Sequence, residues 1–435
     1  MKRIFSPFVI IAALTLCEFL VVCGSSVHPK PFSDGYFHSE AKAIAEAIHH
    51  LNLNEVRPFE HAPGPTIYYA IPYCFLPANS PETHYWYVAV GWNAAWFLVA
   101  LFLLYRAARL ISTRYAFACP LLTLLSPLGV YYSCGVAAET PAFVGCSLFA
   151  YGVTKLLTGN TRPSVLGPVF WGLTIMGIMR PNAIVSSIIV CLVAAILWAR
   201  AFAKKDGARL VTISALLSIM LTAGATIAAR SWDRGSGAEE KQDFLAQVLF
   251  QGVYQFRTEH WDWRHWNEAS RPDSTDFQDS DRENTALHRQ SEQANVALSE
   301  LRYRLVGNYI REHPYQWLTA CGVRVIASQI FIVNSVEKSS FRVLFLSGTA
   351  AYCLIHVIIN ATQILMIIAL GYLTLKVKGM RMWGLLLVGP WLGLVVFVAL
   401  TYCEPRYTMP GQPVLAMAAF LALMHIREPR ARVES

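Results

Sequence analysis

The fold class predicted by this 435-residue sequence is an all-α polytopic membrane protein of about ten transmembrane helices, with further helices along the extracytoplasmic surface. Three observations predict it. Hydrophobic residues make up 55% of the chain and charged residues only 15%, and the mean hydropathy is +0.39; soluble domains are about a quarter charged. Stretches near 4–22, 85–105, 115–132, 140–157, 165–180, 183–199, 210–229, 351–375, 383–401 and 408–425 approach the ~20 apolar residues that a helix needs to cross the hydrocarbon. Basic residues also fall in short clusters between alternate stretches: Lys2-Arg3; Arg106, Arg109 and Arg114; Lys155 and Arg162; Arg200 to Arg209; Lys376 to Arg381; Arg427 to Arg432. That is the positive-inside pattern, and it predicts that both termini are cytoplasmic. The net charge of +8 is thereby a record of topology, and no nucleic-acid partner is expected.

The first apolar run follows Lys2-Arg3 as a signal peptide would, but no small-residue cleavage site stands out and Val22 is bulky. A retained first span is expected. The first extracytoplasmic loop then covers 24–84. Within it, 37–52 carries Ala41, Ile44, Ala45, Ile48 and Leu51 at helical spacing, with Glu40, Lys42, Glu46 and His49 opposite. Such a helix lies in the membrane interface. Pro58, Pro63, Pro65 and Pro72 follow among aromatics, an irregular stretch suited to a cavity wall.

Three domains are read from this pattern: an N-terminal transmembrane module over 1–230, a polar extracytoplasmic loop with interfacial helices over 231–342, and C-terminal transmembrane helices over 343–435. The polar region is distinctive because 231–315 holds 15 of the 28 acidic residues. Residues 285–312 carry Leu298, Leu301, Leu305 and Tyr309 at helical spacing, and His313-Pro314 stops that helix. The apolar stretch 315–333 contains Arg324, whose burial in lipid is costly, so it reads as an interfacial helix. If 316–333 and the start of 341–375 do cross, the count rises to twelve with both termini on the same side. Of the ten cysteines, Cys74, Cys134 and Cys403 are expected near the outer side, and no spacing requires a disulfide or a metal site.

Several polar residues at membrane boundaries carry the candidate chemistry. Asp34 suits two compatible roles: the N-cap of the surface helix, and a general base that takes the proton of an acceptor hydroxyl. Glu139, in a short turn between spans, is either a solvated turn residue or a second acid that helps hold the acceptor or a metal. Arg180, ahead of Pro181-Asn182, and Arg406, beside Glu404 and Tyr407, are either interfacial arginines reaching to headgroups or forked donors for a phosphate. His61 can donate to a phosphate oxygen. Asp34 and His38, four apart, can share a helix face as a chelating pair, which leaves room for a divalent cation; no cofactor is required. Trp261, Trp263 and Trp266 are either interface anchors or sugar-stacking surfaces. No phosphate-binding Gly-rich loop, zinc-protease motif or nucleophile elbow is present. Mid-span charges are sparse apart from Glu18, which argues against an ion-coupled transporter.

Six short motifs in order resemble the GT-C class of membrane glycosyltransferases, especially the branch related to protein O-mannosyltransferases and the aminoarabinose transferase of lipid A. They are Asp34-Gly35-Tyr36-Phe37 with the helix after it, His61-Ala62-Pro63-Gly64-Pro65, Ala138-Glu139-Thr140-Pro141, Met179-Arg180-Pro181-Asn182, Ile310-Arg311-Glu312-His313-Pro314, and Glu404-Pro405-Arg406-Tyr407. The resemblance implies a GT-C-like fold in a bacterial cytoplasmic membrane with an extracytoplasmic active site. It implies a polyprenyl-phosphate sugar donor, a lipid, glycan or protein acceptor, and inversion at the anomeric carbon. Asp34 would be the base, with Arg180, Arg406 and His61 on the lipid phosphate. Where the family often carries a second acid this chain has Gly35, which weakens a metal site built on an acidic pair. Two rival functions remain: a transporter or flippase of a lipid-linked sugar, and a membrane scaffold that binds a protein through 231–315.

Overall fold

The computed structural model describes residues 2–25, 35–51, 63–126, 128–159, 166–200, 205–234, 243–256, 275–330, 341–377, 380–403 and 405–427. Helices α1 (Lys2–Cys23), α2 (Gly35–His49), α3 (Pro63–Tyr73), α4 (Glu82–Ile111), α5 (Ala118–Leu124), α6 (Leu128–Ser133), α7 (Glu139–Leu157), α8 (Leu166–Met179), α9 (Ile184–Arg200) and α10 (Lys205–Arg234) come first. The polar region supplies α11 (Phe244–Tyr254), α12 (Thr275–Ala294), α13 (Leu298–Glu312) and α14 (Pro314–Ala327). A four-residue antiparallel ladder, β1 (Arg342–Val343) with β2 (Leu346–Ser347), precedes α15 (Gly348–Lys376), α16 (Arg381–Leu387), α17 (Gly389–Leu400) and α18 (Gln412–Arg427). Helix dominates, as expected.

Among the described residues six helices are long and apolar enough to cross a membrane: 82–111, 139–157, 181–200, 206–228, 348–376 and 409–427. The pair α16–α17 passes the same test jointly and is bent by 67°, which makes up to seven. Pro7–Cys23 and Leu166–Met179 are apolar but shorter. The expected stretch 115–132 is divided instead into α5 and α6, of seven and six residues. Pro127 falls between them in sequence, and a proline has no N–H to continue the helical ladder. The bend after α16 has the same origin, since Gly389-Pro390 opens α17. There Ser186 Oγ donates to the Pro390 carbonyl at 2.7 Å. Only glycine fits at 393, because a Cβ would lie 2.2 Å from Ser186 Cα.

The chain divides into two compact units, 1–235 with 335–394 and 409–435, and 236–334 with 395–408. In the first, long helices turn apolar side chains outward: Leu354, Val357, Ile358, Leu365 and Ile368 are exposed along α15, while Tyr352, His356 and Gln363 are buried. An apolar outer face with polar groups turned inward is the arrangement a lipid solvent demands.

The second unit joins the polar region to a stretch that sequence reading groups with the C-terminal helices. Gln255 makes that join, its Nε2 donating to the Cys403 carbonyl at 2.9 Å and its Oε1 accepting from Cys403 N at 2.6 Å. Asp243 caps α11 by accepting from Leu245 N and Ala246 N. The helix expected over 285–312 is broken at Asn295, which takes the left-handed conformation (φ +51°), so that α12 and α13 fold against α11. His313 and Pro314 end α13 and open α14 as expected. At 14 residues α14 rises about 21 Å, short of the ~30 Å hydrocarbon. Arg324 is wholly buried on it, with Nη1 2.5 Å from the Gly252 carbonyl and Nη2 3.3 Å from Cys321 Sγ. Burial pulls that guanidinium below its usual pKa range.

Candidate functional site around Glu139 and Arg180

Arg180 owes its position to the proline after it. A residue preceding proline is driven out of the helical region, and Arg180 has φ −136° and ψ 98°. Its N–H still closes α8 on the Met176 carbonyl at 2.9 Å, so the side chain leaves at the last turn. Glu139 is the first residue of α7, where the helix dipole favours a carboxylate. The two meet with Arg180 Nη2 at 2.9 Å from Glu139 Oε1. Glu139 is 0% exposed and Arg180 8%. Neither the solvated-turn reading of Glu139 nor the headgroup reading of Arg180 fits that burial. Taking both charges out of water is costly, and breaking a buried pair by removing one partner costs about 3–5 kcal/mol. A guanidinium held in this way is oriented in advance.

The turn leading into Glu139 is held by polar groups from two other helices. Asn93 of α4 donates to the Ser133 and Gly135 carbonyls at 2.9 and 3.0 Å. The Tyr69 hydroxyl of α3 donates to the Ala137 carbonyl at 2.8 Å and accepts from Ala137 N at 3.0 Å. Trp86 Nε1 donates to the Cys134 carbonyl at 2.9 Å, and Thr140 Oγ1 to Ser133 Oγ at 2.7 Å. Tyr69 and Asn93 are both fully buried, so these bonds set the turn's backbone.

Helices α2 and α3 close one side. Tyr36, Phe37, Ala41 and Ala45 of α2 pack with Tyr68, Tyr69 and Tyr73 of α3 in a cluster that includes Ala138 and Met179, the residues just before Glu139 and Arg180. Gly64 lies against α8 so closely that a Cβ would fall 2.5 Å from the Ile178 carbonyl oxygen. Thr66 donates to Glu40 Oε2 at 2.6 Å and ties the two helices together.

At the far side of α2, His38 bridges Tyr73 hydroxyl (3.1 Å at Nδ1) and Glu82 Oε2 (2.6 Å at Nε2), and Lys42 Nζ reaches Glu82 Oε1 at 2.6 Å. Burial lowers the His38 pKa and outweighs the upward pull of Glu82. The Glu82 contact raises that of Lys42.

Of the residues singled out from sequence, Glu139 and Arg180 are brought together. Arg406 lies in the second unit, in the turn Pro405–Tyr407, half-buried with its guanidinium 5.6 Å from the Tyr407 ring. Asp34, His61, Glu404, Trp261, Trp263 and Trp266 lie outside the described residues. The described neighbours of the first two converge: Tyr36 and Phe37 follow Asp34, and Gly64 follows His61. Both His38 ring nitrogens are engaged by Tyr73 and Glu82, and among the described residues no three His, Cys, Asp or Glu side chains form a metal-holding group. Asp34, the other half of the expected pair, lies outside those residues, and no step is routed through a cation.

Sequence reading placed Glu40 on the polar face of the surface helix and gave no individual role to Glu40, Thr66, Tyr69 or Asn93. Asn93 carried a signal, a polar amide inside an apolar span; Tyr69 carried none. No protein-family model matches the chain, and no curated protein matches its sequence.

Proposed function

We propose that the chain is an inverting glycosyltransferase that moves a sugar from a polyprenyl-phosphate donor to a lipid, glycan or protein acceptor on the extracytoplasmic side of the membrane. The buried Glu139–Arg180 pair carries the reading, set where the helices that follow Asp34 and His61 meet the ends of α7 and α8. In this reading α1, α5 with α6, α8 and the bent α16–α17 complete ten crossings, and both termini are cytoplasmic.

The chemistry follows from charge. Asp34 accepts the proton of the acceptor hydroxyl as its oxygen bonds to the anomeric carbon. The bond from that carbon to the phosphate oxygen breaks, and the lipid phosphate leaves with the electron pair. Attack opposite the leaving group inverts the centre. Negative charge therefore grows on the phosphate, and Arg180, oriented by Glu139, is placed to oppose it. One preset donor of this kind contributes about 3 kcal/mol to a transition state. His61 is assigned to the same phosphate, and the lipid tail lies along the apolar helices.

The test is transfer in nanodiscs. Wild type, Asp34→Asn and Arg180→Gln receive radiolabelled polyprenyl-phosphate sugars with membrane extract as acceptor. The proposal expects label in a new product with wild type and loss of ~100-fold or more in rate with either variant. Equal rates with Asp34→Asn remove it as base. Label that only changes leaflet, still on its lipid, makes the protein a transporter.

A further inference from the structure

We propose that α3 is sunk in the outer leaflet of the membrane, with Ile67, Ile71 and Phe75 against lipid acyl chains. Sequence reading makes this stretch an irregular cavity wall, and it is a helix instead. Pro63 and Pro65 fall in its first turn, where backbone N–H groups have no helical acceptor, so neither breaks it. Its two sides differ in chemistry. Tyr68, Tyr69 and Tyr73 are buried in the cluster that walls the candidate site. Ile67 and Ile71 are 50% and 48% exposed, one turn apart on another side. Phe75 extends that side and is 84% exposed, in the turn that closes on the Pro72 carbonyl.

Composition and packing both name the solvent for this row. From Ala62 to Pro81 the chain has no Asp, Glu, Lys, Arg or His, whereas about a quarter of the residues of a soluble domain are charged. Helix α8 is uncharged as well. It turns Trp171 outward, with Ile175 and Ile178 partly exposed at helical spacing on the same side. Ile178 then meets α3, since a Cβ at Gly64 would fall 2.9 Å from Ile178 Cγ2. Gly64, Ile67 and Ile71 share a side of α3 through spacings of three and four.

The apolar strip of α8 thus passes through Gly64 onto α3, and lipid is the solvent along its whole length. Lys2 and Arg3 mark the cytoplasmic start of α1, which puts α3 in the loop beyond the far end of that helix. A helix with one side packed on protein and the other in acyl chains lies in the membrane interface. Ile178 stands two residues before Arg180, so the lipid-facing strip ends at the candidate site. This placement rests on the spanning architecture and is independent of the transfer chemistry.

The test labels the protein from the lipid side. Wild-type protein in nanodiscs of phosphatidylcholine with a diazirine in one acyl chain is irradiated, digested and weighed. The proposal expects label on Ile67, Ile71 or Phe75 comparable with that on Trp171, Ile175 and Ile178, and several-fold above that on the polar helix α12. Label on α8 with α3 at the α12 level overturns it. Label on neither helix above the α12 level overturns it too, because α8 then has no lipid side to continue. In a second arm, p-benzoylphenylalanine replaces the exposed Ile71, and membranes of the expressing host are irradiated. A phospholipid adduct is expected, and an adduct with a second protein overturns lipid as the partner. The wild-type measurement decides even if that variant fails to fold.

Discussion

Glu139 is the most exposed to test at the scale of single residues, because its carboxylate is buried against the Arg180 guanidinium. Glu139→Gln keeps the shape but removes the carboxylate beside the buried Arg180 charge, and unfolding should become easier by about 3–5 kcal/mol. Thermal unfolding in detergent checks this, and the double change Glu139→Gln with Arg180→Gln should recover much of the loss, as coupled sites do. His38 offers a second test with a sign. Its folded pKa lies below its unfolded value, so its contribution is fully present above ~6.5 and is lost as pH falls from there through the folded pKa. A pH series of melting temperatures should fall below ~6.5 in wild type and fall less in His38→Gln. The two ends of the Glu139–Arg180 pair were both visible in sequence, as polar residues beside spans. Their pairing was not, because nothing in a one-dimensional pattern says that residues 41 apart share a turn of two different helices.

Elements were legible where local chemistry sets them. The surface helix expected over 37–52 is found at Gly35–His49, and His313-Pro314 divides α13 from α14 as a proline start requires. Hydropathy alone did not show the breaks within 115–132 and 383–401, since window averages ignore what Pro127 and Gly389-Pro390 do to a helical ladder. It also missed the break at Asn295, where a left-handed residue turns one polar helix into two. The close approach of α3 to α8 gives a prediction at this scale. Gly64→Ala places a Cβ against the Ile178 carbonyl, where backbone cannot yield cheaply, and should destabilise by about 1–3 kcal/mol. Calorimetry of the purified variant checks the stability. Under the proposed function, the transfer rate should fall with it, because the shift moves α3 away from Arg180.

For the whole molecule, the exposed surface decides what solvent the chain needs. Apolar side chains stand outward along α9, α10 and α15, among them Leu192, Leu217, Met220 and Leu365. Exposed apolar patches of this extent are not tolerated in water. The protein should stay in the membrane pellet after alkaline carbonate extraction and enter solution only with detergent; release by carbonate would contradict a spanning architecture.

The link between Gln255 and Cys403 has a temporal consequence. Its partners are 148 residues apart, and α15 and α16 are synthesised between them. A nascent chain that has delivered 236–334 still lacks the strip 395–408 against which Gln255 and Gly252 are packed. The ribosome must therefore finish most of the C-terminal helices before the polar unit can complete its fold. Until then the unit waits part-formed, and chains stopped after Lys376 should be cut by protease within 244–330 far faster than the finished protein.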